Sequence, residues 1–189
     1  MKRCKWVNLN NQNYIDYHDY EWGVPSHDDK YLFELLILES FQAGLSWECV
    51  LNKRNFFKEA FDNFDFKKIA RYDDKKVQEL LNNKDLIRNR LKINATINNA
   101  KIFMNIITEY GSFDKYIWSF TNGKIINGKG INTTSKLSDT ISKDLQKRKM
   151  KFVGSTIIYS YLQAIGIIND HERECDFKNS WLNLNIFYN

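Results

Sequence analysis

Residues 38–47 read Leu38-Glu39-Ser40-Phe41-Gln42-Ala43-Gly44-Leu45-Ser46-Trp47 and place one carboxylate within an otherwise apolar run. In a helix that turns about 100° per residue, Glu39 is rotated by about 140° from Glu34. We take Lys30 and Glu34 to mark the solvent side of this helix, so Glu39 is predicted to point toward its apolar side. A carboxylate in apolar surroundings is costly unless a partner offsets its desolvation.

The second half of this segment predicts a turn between two helices. Gly44 suits the left-handed residue that ends one helix, and Ser46 suits the N-cap of the next. Glu39 and Trp47 would then lie on either side of a short turn that carries Leu45. This arrangement predicts a pocket for a planar, polar ligand, including a cationic one. The alternative is that Glu39 pairs with an internal arginine or a helix N-terminus, the commoner fate of a buried glutamate.

Length and composition predict one helical domain. The 189 residues are enough to bury a core, and the single Pro and 8 Gly leave few helix breakers. No long run alternates with a period of two, so we expect a nearly all-helical chain, with residues 1–27 irregular and 122–138 forming a loop. Helices are predicted at about 29–43, 46–60, 66–71, 74–82, 138–148 and 157–168, with a long one carrying the apolar stripe from Ile93 to Ile107.

The termini and the charge limit the class of partner. No apolar stretch of membrane-spanning length occurs, and no apolar region follows Met1-Lys2-Arg3, so we expect a cytoplasmic protein without a membrane partner. The net charge of +5 is compatible with a polyanionic partner, although a solvated basic face is the commoner outcome. The 15% aromatic content favours a nucleic acid with an exposed base, because stacking and phosphate contacts act together there.

The cysteines and histidines near the two ends have the spacing of metal ligands. Cys4 is followed by His18, and His171 precedes Cys175 by four residues, which places the second pair on one face of a helical turn. Together the four would close a tetrahedral zinc site with no open position, a structural site that joins residues 1–27 to residues 169–176. Taken alone, the spacing of His171 and Cys175 is as well explained by chance as by a metal site. Cys49 is interpreted as a small core residue.

Residues 74–107 are predicted to form a helix, a short hairpin and a second helix. Arg88, Arg90 and Lys92 flank the start of the second helix, where backbone N–H groups and basic side chains suit a DNA phosphate. An ordinary helix pair with solvated arginines is the alternative.

These motifs, taken in order, resemble the Tag family of DNA-3-methyladenine glycosylases, within the helix-hairpin-helix DNA glycosylase superfamily. The resemblance spans nearly the whole chain. It is carried by Cys4-x-Trp6, Tyr14-x-x-Tyr17-His18-Asp19-x-Glu21-Trp22-Gly23, the segment 38–47, Lys151-Phe152-Val153-Gly154, and Asn169-Asp170-His171 with Cys175.

The resemblance implies an all-α, two-lobed fold with the active-site cleft between the lobes, as a single domain over 1–189 with the helix-hairpin-helix region at about 74–107. It implies one structural zinc per chain, held by Cys4, His18, His171 and Cys175. It also implies a base pocket formed by Trp6, Tyr14, Tyr17, Glu39 and Trp47.

The implied activity is hydrolysis of the N-glycosidic bond of N3-methyladenine in double-stranded DNA by a monomeric, monofunctional enzyme that the free base inhibits. Glu39 is the candidate catalytic residue. The turn at Gly44 and Leu45 would fill the gap left by the extruded nucleotide, and the hairpin near 82–90, with Arg88 and Arg90, would bind backbone phosphates.

Two departures and two rival functions accompany this resemblance. Asp85 replaces a glycine common in the family's hairpin, Leu91 replaces a small or basic residue, and the tail after Cys175 is outside the family pattern. A bifunctional lyase would need a nucleophilic lysine in the pocket, and segment 38–47 has none. A non-catalytic alkylation sensor would use the same pocket residues.

Overall fold

The computed structural model describes residues 1–128, 130 and 132–179. Within these ranges the chain forms ten α-helices, one 3-10 turn at Asp62–Phe64 and two paired two-residue strands, β1 (Ile126–Asn127) and β2 (Ile168–Asn169). The helices are α1 Gln12–Tyr20, α2 Asp29–Gln42, α3 Trp47–Leu51, α4 Arg54–Ala60, α5 Phe66–Ile69, α6 Asp74–Asn82, α7 Arg90–Tyr110, α8 Phe113–Ser119, α9 Lys136–Lys147 and α10 Ser155–Ala164.

Helix α2 forms the centre of the fold. All its residues from Leu32 to Phe41 are buried, and it packs against α3, α7, α8 and α10. The buried apolar residues form one continuous cluster that includes both Cys4 and Cys175. Residues near both ends of the chain therefore pack into the same core.

The turn between α2 and α3 forms as the sequence predicts. Gly44 adopts a φ of +79°, and the side chain of Ser46 accepts a hydrogen bond from the backbone N–H of Cys49 at 3.2 Å. A left-handed glycine and an N-cap serine thus reverse the chain between the two helices.

Several predicted elements differ from the structure. Residues 12–20 are helical, so 1–27 is not irregular throughout, and residues 113–119 form a helix that the apolar pattern did not predict. The predicted helix at 46–60 is two helices, because the chain leaves helical geometry near Lys53 (φ −100°, ψ 0°).

The last predicted helix, 157–168, is instead α10 followed by strand β2. Gly166 has a φ of +77°, and a Cβ on it would lie 2.4 Å from the backbone nitrogen of Pro25. This close approach ends the helix and lets residues 168–169 pair in parallel with residues 126–127, inside the predicted loop. The fold is mostly helical, with this one parallel pair among the described residues.

Two residues lie in environments other than those predicted. Glu34 does not mark the solvent side of α2; it is 6% exposed, and it pairs with Arg54 Nε at 2.6 Å and with Lys58 Nζ at 3.3 Å. Cys49 is half-buried rather than part of the core. Trp181, Phe187 and Tyr188 of the unassigned tail lie outside the described residues.

In the part of the chain that the structure describes, we find no helix with the length and apolar character needed to cross a bilayer.

Candidate functional site

An aromatic cavity of about 230 Å³ opens between α1, the turn from α2 to α3, and α10. All five residues predicted to form a base pocket line it: Trp6, Tyr14, Tyr17, Glu39 and Trp47. The other described residues that line it are Trp22, Gln42, Gly130, Asn132, Ser160, Gln163, Asp170 and Glu172. We call this space the aromatic cavity.

Glu39 is a buried carboxyl group without a bonding partner for one of its oxygens. It is 3% exposed, and its Oε2 atom makes no hydrogen bond to any described residue. Burial raises the pKa of this carboxyl from 4.5 to about 8. Both alternatives are wrong for the described residues, because Glu39 bonds neither to an arginine nor to a helix N-terminus, and the arginine that pairs on α2 bonds Glu34.

The aromatic walls carry a second unsatisfied group. Trp47 and Tyr17 lie with ring centroids 5.1 Å apart and planes inclined by 49°. The indole Nε1 of Trp47 is buried without a hydrogen-bond partner among the described residues. Trp6 packs edge-on against Tyr14 at 5.3 Å and Trp22 at 4.9 Å. The cavity thus offers flat apolar faces together with a buried indole N–H and a buried carboxyl oxygen that have no partner among the described residues, which suits a planar heterocycle with a polar edge.

Sequence reasoning left several cavity residues without a role. Gln42 lies three residues after Glu39, so helical spacing alone places the two on one face. No spacing relative to Glu39 could place Asp170 and Gln163 in the cavity, because they are more than 120 residues away from it in the sequence. Asp170 Oδ2 accepts hydrogen bonds from Gln163 Nε2 at 2.7 Å and Tyr159 OH at 2.9 Å, and Oδ1 accepts one from the Gly130 N–H.

A second buried site brings together residues from both ends of the chain. Cys4 Sγ, His18 Nε2 and Cys175 Sγ all lie within 4.8 Å of one another. His171, the fourth predicted ligand, is not among the residues whose ligand atoms converge in this way, and its ring packs edge-on against that of His18 with centroids 5.3 Å apart. Its Nε2 is buried without a hydrogen-bond partner among the described residues. We call these four residues the Cys/His cluster.

The outer nitrogen of each histidine in the cluster is held by an oxygen. His18 Nδ1 lies 2.7 Å from Asp19 Oδ1, and His171 Nδ1 lies 3.0 Å from Asn169 Oδ1. Such bonds fix the ring so that Nε2 is the atom offered to a metal. Burial lowers the pKa of both imidazoles, that of His171 to about 4, which keeps the neutral form that metals bind. Two sulfurs and two imidazole nitrogens are a donor set that fits zinc.

The predicted DNA-contacting residues lie at the surface. Gly44 and Leu45 are exposed in the turn, as are Arg88 and Arg90 at the start of α7. Lys92 does not belong to this group. It is 6% exposed, with its Nζ bonded to backbone carbonyls at the end of α2, so it cannot contact phosphate as the sequence suggested.

The hairpin before α7 closes without the glycine that is common in the family. Asp85 does not adopt a positive φ. Its backbone N–H donates to Asn83 Oδ1 at 2.9 Å, and its carbonyl accepts from Lys53 Nζ at 2.8 Å. Side-chain hydrogen bonds therefore support this turn.

Comparison with known proteins agrees with this architecture. A sequence model of the family described as methyladenine glycosylase matches residues 6–179. The chain is 42% identical over 183 residues to DNA-3-methyladenine glycosylase of Haemophilus influenzae, covering 94% of this chain and 98% of that protein. It is 43% identical over 180 residues to DNA-3-methyladenine glycosylase 1 of Escherichia coli, covering 93% and 96%.

A solved structure gives the same result for the fold. It concerns 3-methyladenine recognition by 3-methyladenine DNA glycosylase I of Staphylococcus aureus, and it matches with a TM-score of 0.90 at 34% identity, covering 94% of this chain and 97% of that one. Sequence and fold agree over nearly the full length: the chain belongs to the methyladenine glycosylase family.

Proposed function

We propose that this protein is a monofunctional base-excision repair enzyme that hydrolyses the N-glycosidic bond of N3-methyladenine in alkylated DNA. It releases the free base and leaves an abasic site. The observation that carries this proposal is the buried Glu39 carboxyl, whose Oε2 has no partner among the residues that the structure describes, inside a cavity walled by aromatic rings. The relatives named for this activity, at 42% and 43% identity, support the same assignment.

The reaction needs little help from an acid catalyst. Methylation at N3 makes the adenine cationic, so its glycosidic bond is already weakened and the base leaves readily. The enzyme must extrude the nucleotide, select the base and favour the developing charge on the sugar. Trp47 and the tyrosines stack on the cationic purine, a contact that contributes about 2 kcal/mol when desolvated.

Glu39 supplies the selectivity and is the catalytic residue that we assign. A positive charge beside a carboxyl lowers its pKa, so Glu39 ionises when the cationic base enters the cavity. The carboxylate then accepts hydrogen bonds from the N6 amino edge of the adenine, a charge-assisted contact. A neutral base without that amino edge gains neither interaction.

A lyase mechanism is disfavoured by the residues around the cavity. A bifunctional glycosylase attacks the sugar with an amine, which must lie within reach of the reacting carbon. The described residues that line the cavity include no lysine.

Double-stranded DNA is the proposed macromolecular partner. The exposed turn at Gly44 and Leu45 fills the gap left by the extruded nucleotide, and Arg88 and Arg90 contact phosphates without reading sequence. Replacing both arginines with alanine is expected to weaken binding to every duplex alike and to reduce the salt slope by about 2. An unchanged slope would place the DNA surface elsewhere.

We also propose one structural zinc ion, bound by Cys4, His18, His171 and Cys175. Three of these residues converge, and His171, whose ring contacts His18 and whose buried Nε2 has no hydrogen-bond partner among the described residues, is the proposed fourth ligand. A zinc ion with four protein ligands keeps no position for water, so its contribution is to join residues 1–27 to residues 169–176. The two-lobed division, the single domain over 1–189, the cytoplasmic location, the monomeric state and inhibition by the free base stay predictions.

The deciding experiment measures release of free 3-methyladenine from methylated duplex DNA. A monofunctional glycosylase releases the base and leaves an uncut strand that breaks only after alkali treatment. Strand cleavage without alkali would indicate a lyase. Tight binding to methylated duplex without base release would indicate an alkylation sensor, the second rival, and would contradict the proposal.

A further inference from the structure

Lys92 is a buried lysine that lies outside the aromatic cavity and the Cys/His cluster. It occupies the first turn of α7 and is 6% exposed. Its Nζ donates hydrogen bonds to the carbonyl oxygen of Phe41 at 2.7 Å and to that of Ala43 at 2.6 Å. Its ammonium group also lies 5.9 Å from the centroid of the Phe152 ring.

These two carbonyls belong to the end of α2, where a helix has acceptors without partners inside the helix. A cation at a helix C-terminus satisfies such acceptors and interacts favourably with the helix dipole. Ala43 departs from helical geometry with φ −47° and ψ 112°, and Gly44 follows at φ +79°. Lys92 therefore holds the chain at the point where the direction of Leu45 is set.

The same helix start carries the residues assigned to phosphate contact. Arg88 and Arg90 flank Asn89, whose side chain accepts the backbone N–H of Lys92 at 3.2 Å. Lys92 is thus bonded through its backbone to the N-cap of α7 and through its side chain to the turn after α2. One residue joins the two surfaces that would meet the DNA.

We propose that Lys92 is a positioning residue that fixes the Gly44–Leu45 turn relative to the phosphate-contacting start of α7, so that Leu45 enters the duplex as the damaged base leaves it. This inference rests on the proposed insertion of that turn into DNA. It assigns to Lys92 a part in excision from duplex DNA and none in binding the free base.

The test separates excision from base binding in one variant. Lys92→Met retains most of the side-chain stem and removes the ammonium. Its single-turnover excision of 3-methyladenine from duplex DNA is expected to fall about 100-fold, as for a reacting group misplaced by about 1 Å. Its affinity for free 3-methyladenine should stay within about twofold, because cavity atoms are unchanged. Lys92→Arg retains the charge and N–H donors and should recover part of the rate.

Two further variants complete the test, one as a control and one as an independent change to the turn. Lys101→Met removes an exposed lysine on the same helix and should leave both measurements unchanged. Gly44→Ala introduces a Cβ that meets no protein atom within 4 Å, so within the protein its effect comes from the positive φ. It should slow excision while sparing base binding, and combining it with Lys92→Met should give a smaller loss than the product of the two, because both act on one turn.

Each outcome bears on the inference separately from the proposed function. Normal excision by Lys92→Met, or an equal loss of excision and of free-base affinity, overturns the positioning role. If Leu45→Ala also excises at the parental rate, the turn does not insert, and that part of the proposed function fails with it. Should Lys92→Met fail to fold, independent and multiplicative effects of Lys92→Arg and Gly44→Ala would overturn the inference instead.

Discussion

The aromatic cavity and the Cys/His cluster are neighbouring buried sites that share helix α1, yet their unsatisfied atoms have different surroundings. Tyr17 lines the cavity, and the next residue, His18, belongs to the cluster. In the cluster, the outer nitrogens of both histidines are already held by Asp19 and Asn169. In the cavity, no described residue holds Oε2 of Glu39.

This difference distinguishes a permanent ligand from an exchangeable one. A site whose histidine rings are oriented by outer hydrogen bonds suits a permanently held ion. A carboxyl group left unpaired in an apolar site costs folding free energy, and such groups are found where a ligand supplies the missing partner. Variants in the cluster should therefore lose stability, whereas variants at Glu39 should lose function and gain stability.

The largest expected effect is in the cluster. Cys175→Ser removes one of the four proposed zinc ligands and should lower the free energy of unfolding by about 5 kcal/mol, the range in which loss of a metal site falls. The folded fraction should excise 3-methyladenine at nearly the parental rate. Chemical denaturation, metal analysis and an excision assay together measure this.

Cys49→Ser is the matched control, because Cys49 is half-buried and lies outside the cluster. It should retain one zinc per chain and lose at most about 1 kcal/mol. If removing zinc abolished excision and left stability unchanged, the assignment of a structural role to the Cys/His cluster would be wrong.

A smaller effect of opposite sign is expected from Glu39→Gln. Burial raises the pKa of Glu39 from 4.5 to about 8, so the folded chain retains a proton that the unfolded chain releases. Stability is therefore lost as the pH rises between these two values, and it stays low above pH 8. Glutamine does not titrate, so the variant should be more stable than the parent by about 4.5 kcal/mol at pH 8.5 and by about 1 kcal/mol at pH 5.

The other ionisable groups near Glu39 leave this prediction intact. Tyr14 and Tyr17 of α1 face it, and the pKa of each is raised by burial, so both stay neutral over this range. Asp170 and Glu172 line the same cavity and are present in both variants. Glu34→Gln is the contrast on the same helix, because it breaks the pair with Arg54 and should destabilise the protein at both pH values.

The smallest effect concerns the pH dependence of excision. If the ionised form of Glu39 accepts the cationic base, kcat/KM should rise about tenfold per pH unit below pH 8 and then level off. Glu39→Gln should lack this rise. A parental profile that is flat between pH 6 and pH 8 would mean that the ionised carboxylate is not required.

The sequence predicted the cavity better than it predicted the helix that carries it. The spacing within 38–47 correctly indicated that Glu39 is buried and that Gly44 and Ser46 reverse the chain. The argument for the burial of Glu39 nevertheless assumed that Glu34 faces solvent, and that premise was wrong. A helical period cannot reveal that Arg54 from another helix covers that face, so that α2 is buried all round from Leu32 to Phe41.

Long-range packing explains the other differences. Gly166 packs directly against the backbone of Pro25, and α10 ends before it. The two residues are far apart in the chain, so no local pattern encodes this contact. Lys92 has the sequence context of a phosphate contact but lies against the end of α2. Asp170 reaches the cavity only after the chain has folded, so its place there could not be predicted from spacing.

The most direct test of the central claim compares Glu39→Gln with the parent in single-turnover excision and in affinity for free 3-methyladenine. The variant retains the shape of the side chain and removes its charge. It should lose about 1.5 to 3 kcal/mol in both measurements, the range for a hydrogen bond to a charged group, while remaining folded. A variant that binds and excises like the parent would show that Glu39 is only a buried carboxyl of the core, and the account of base selection would be wrong.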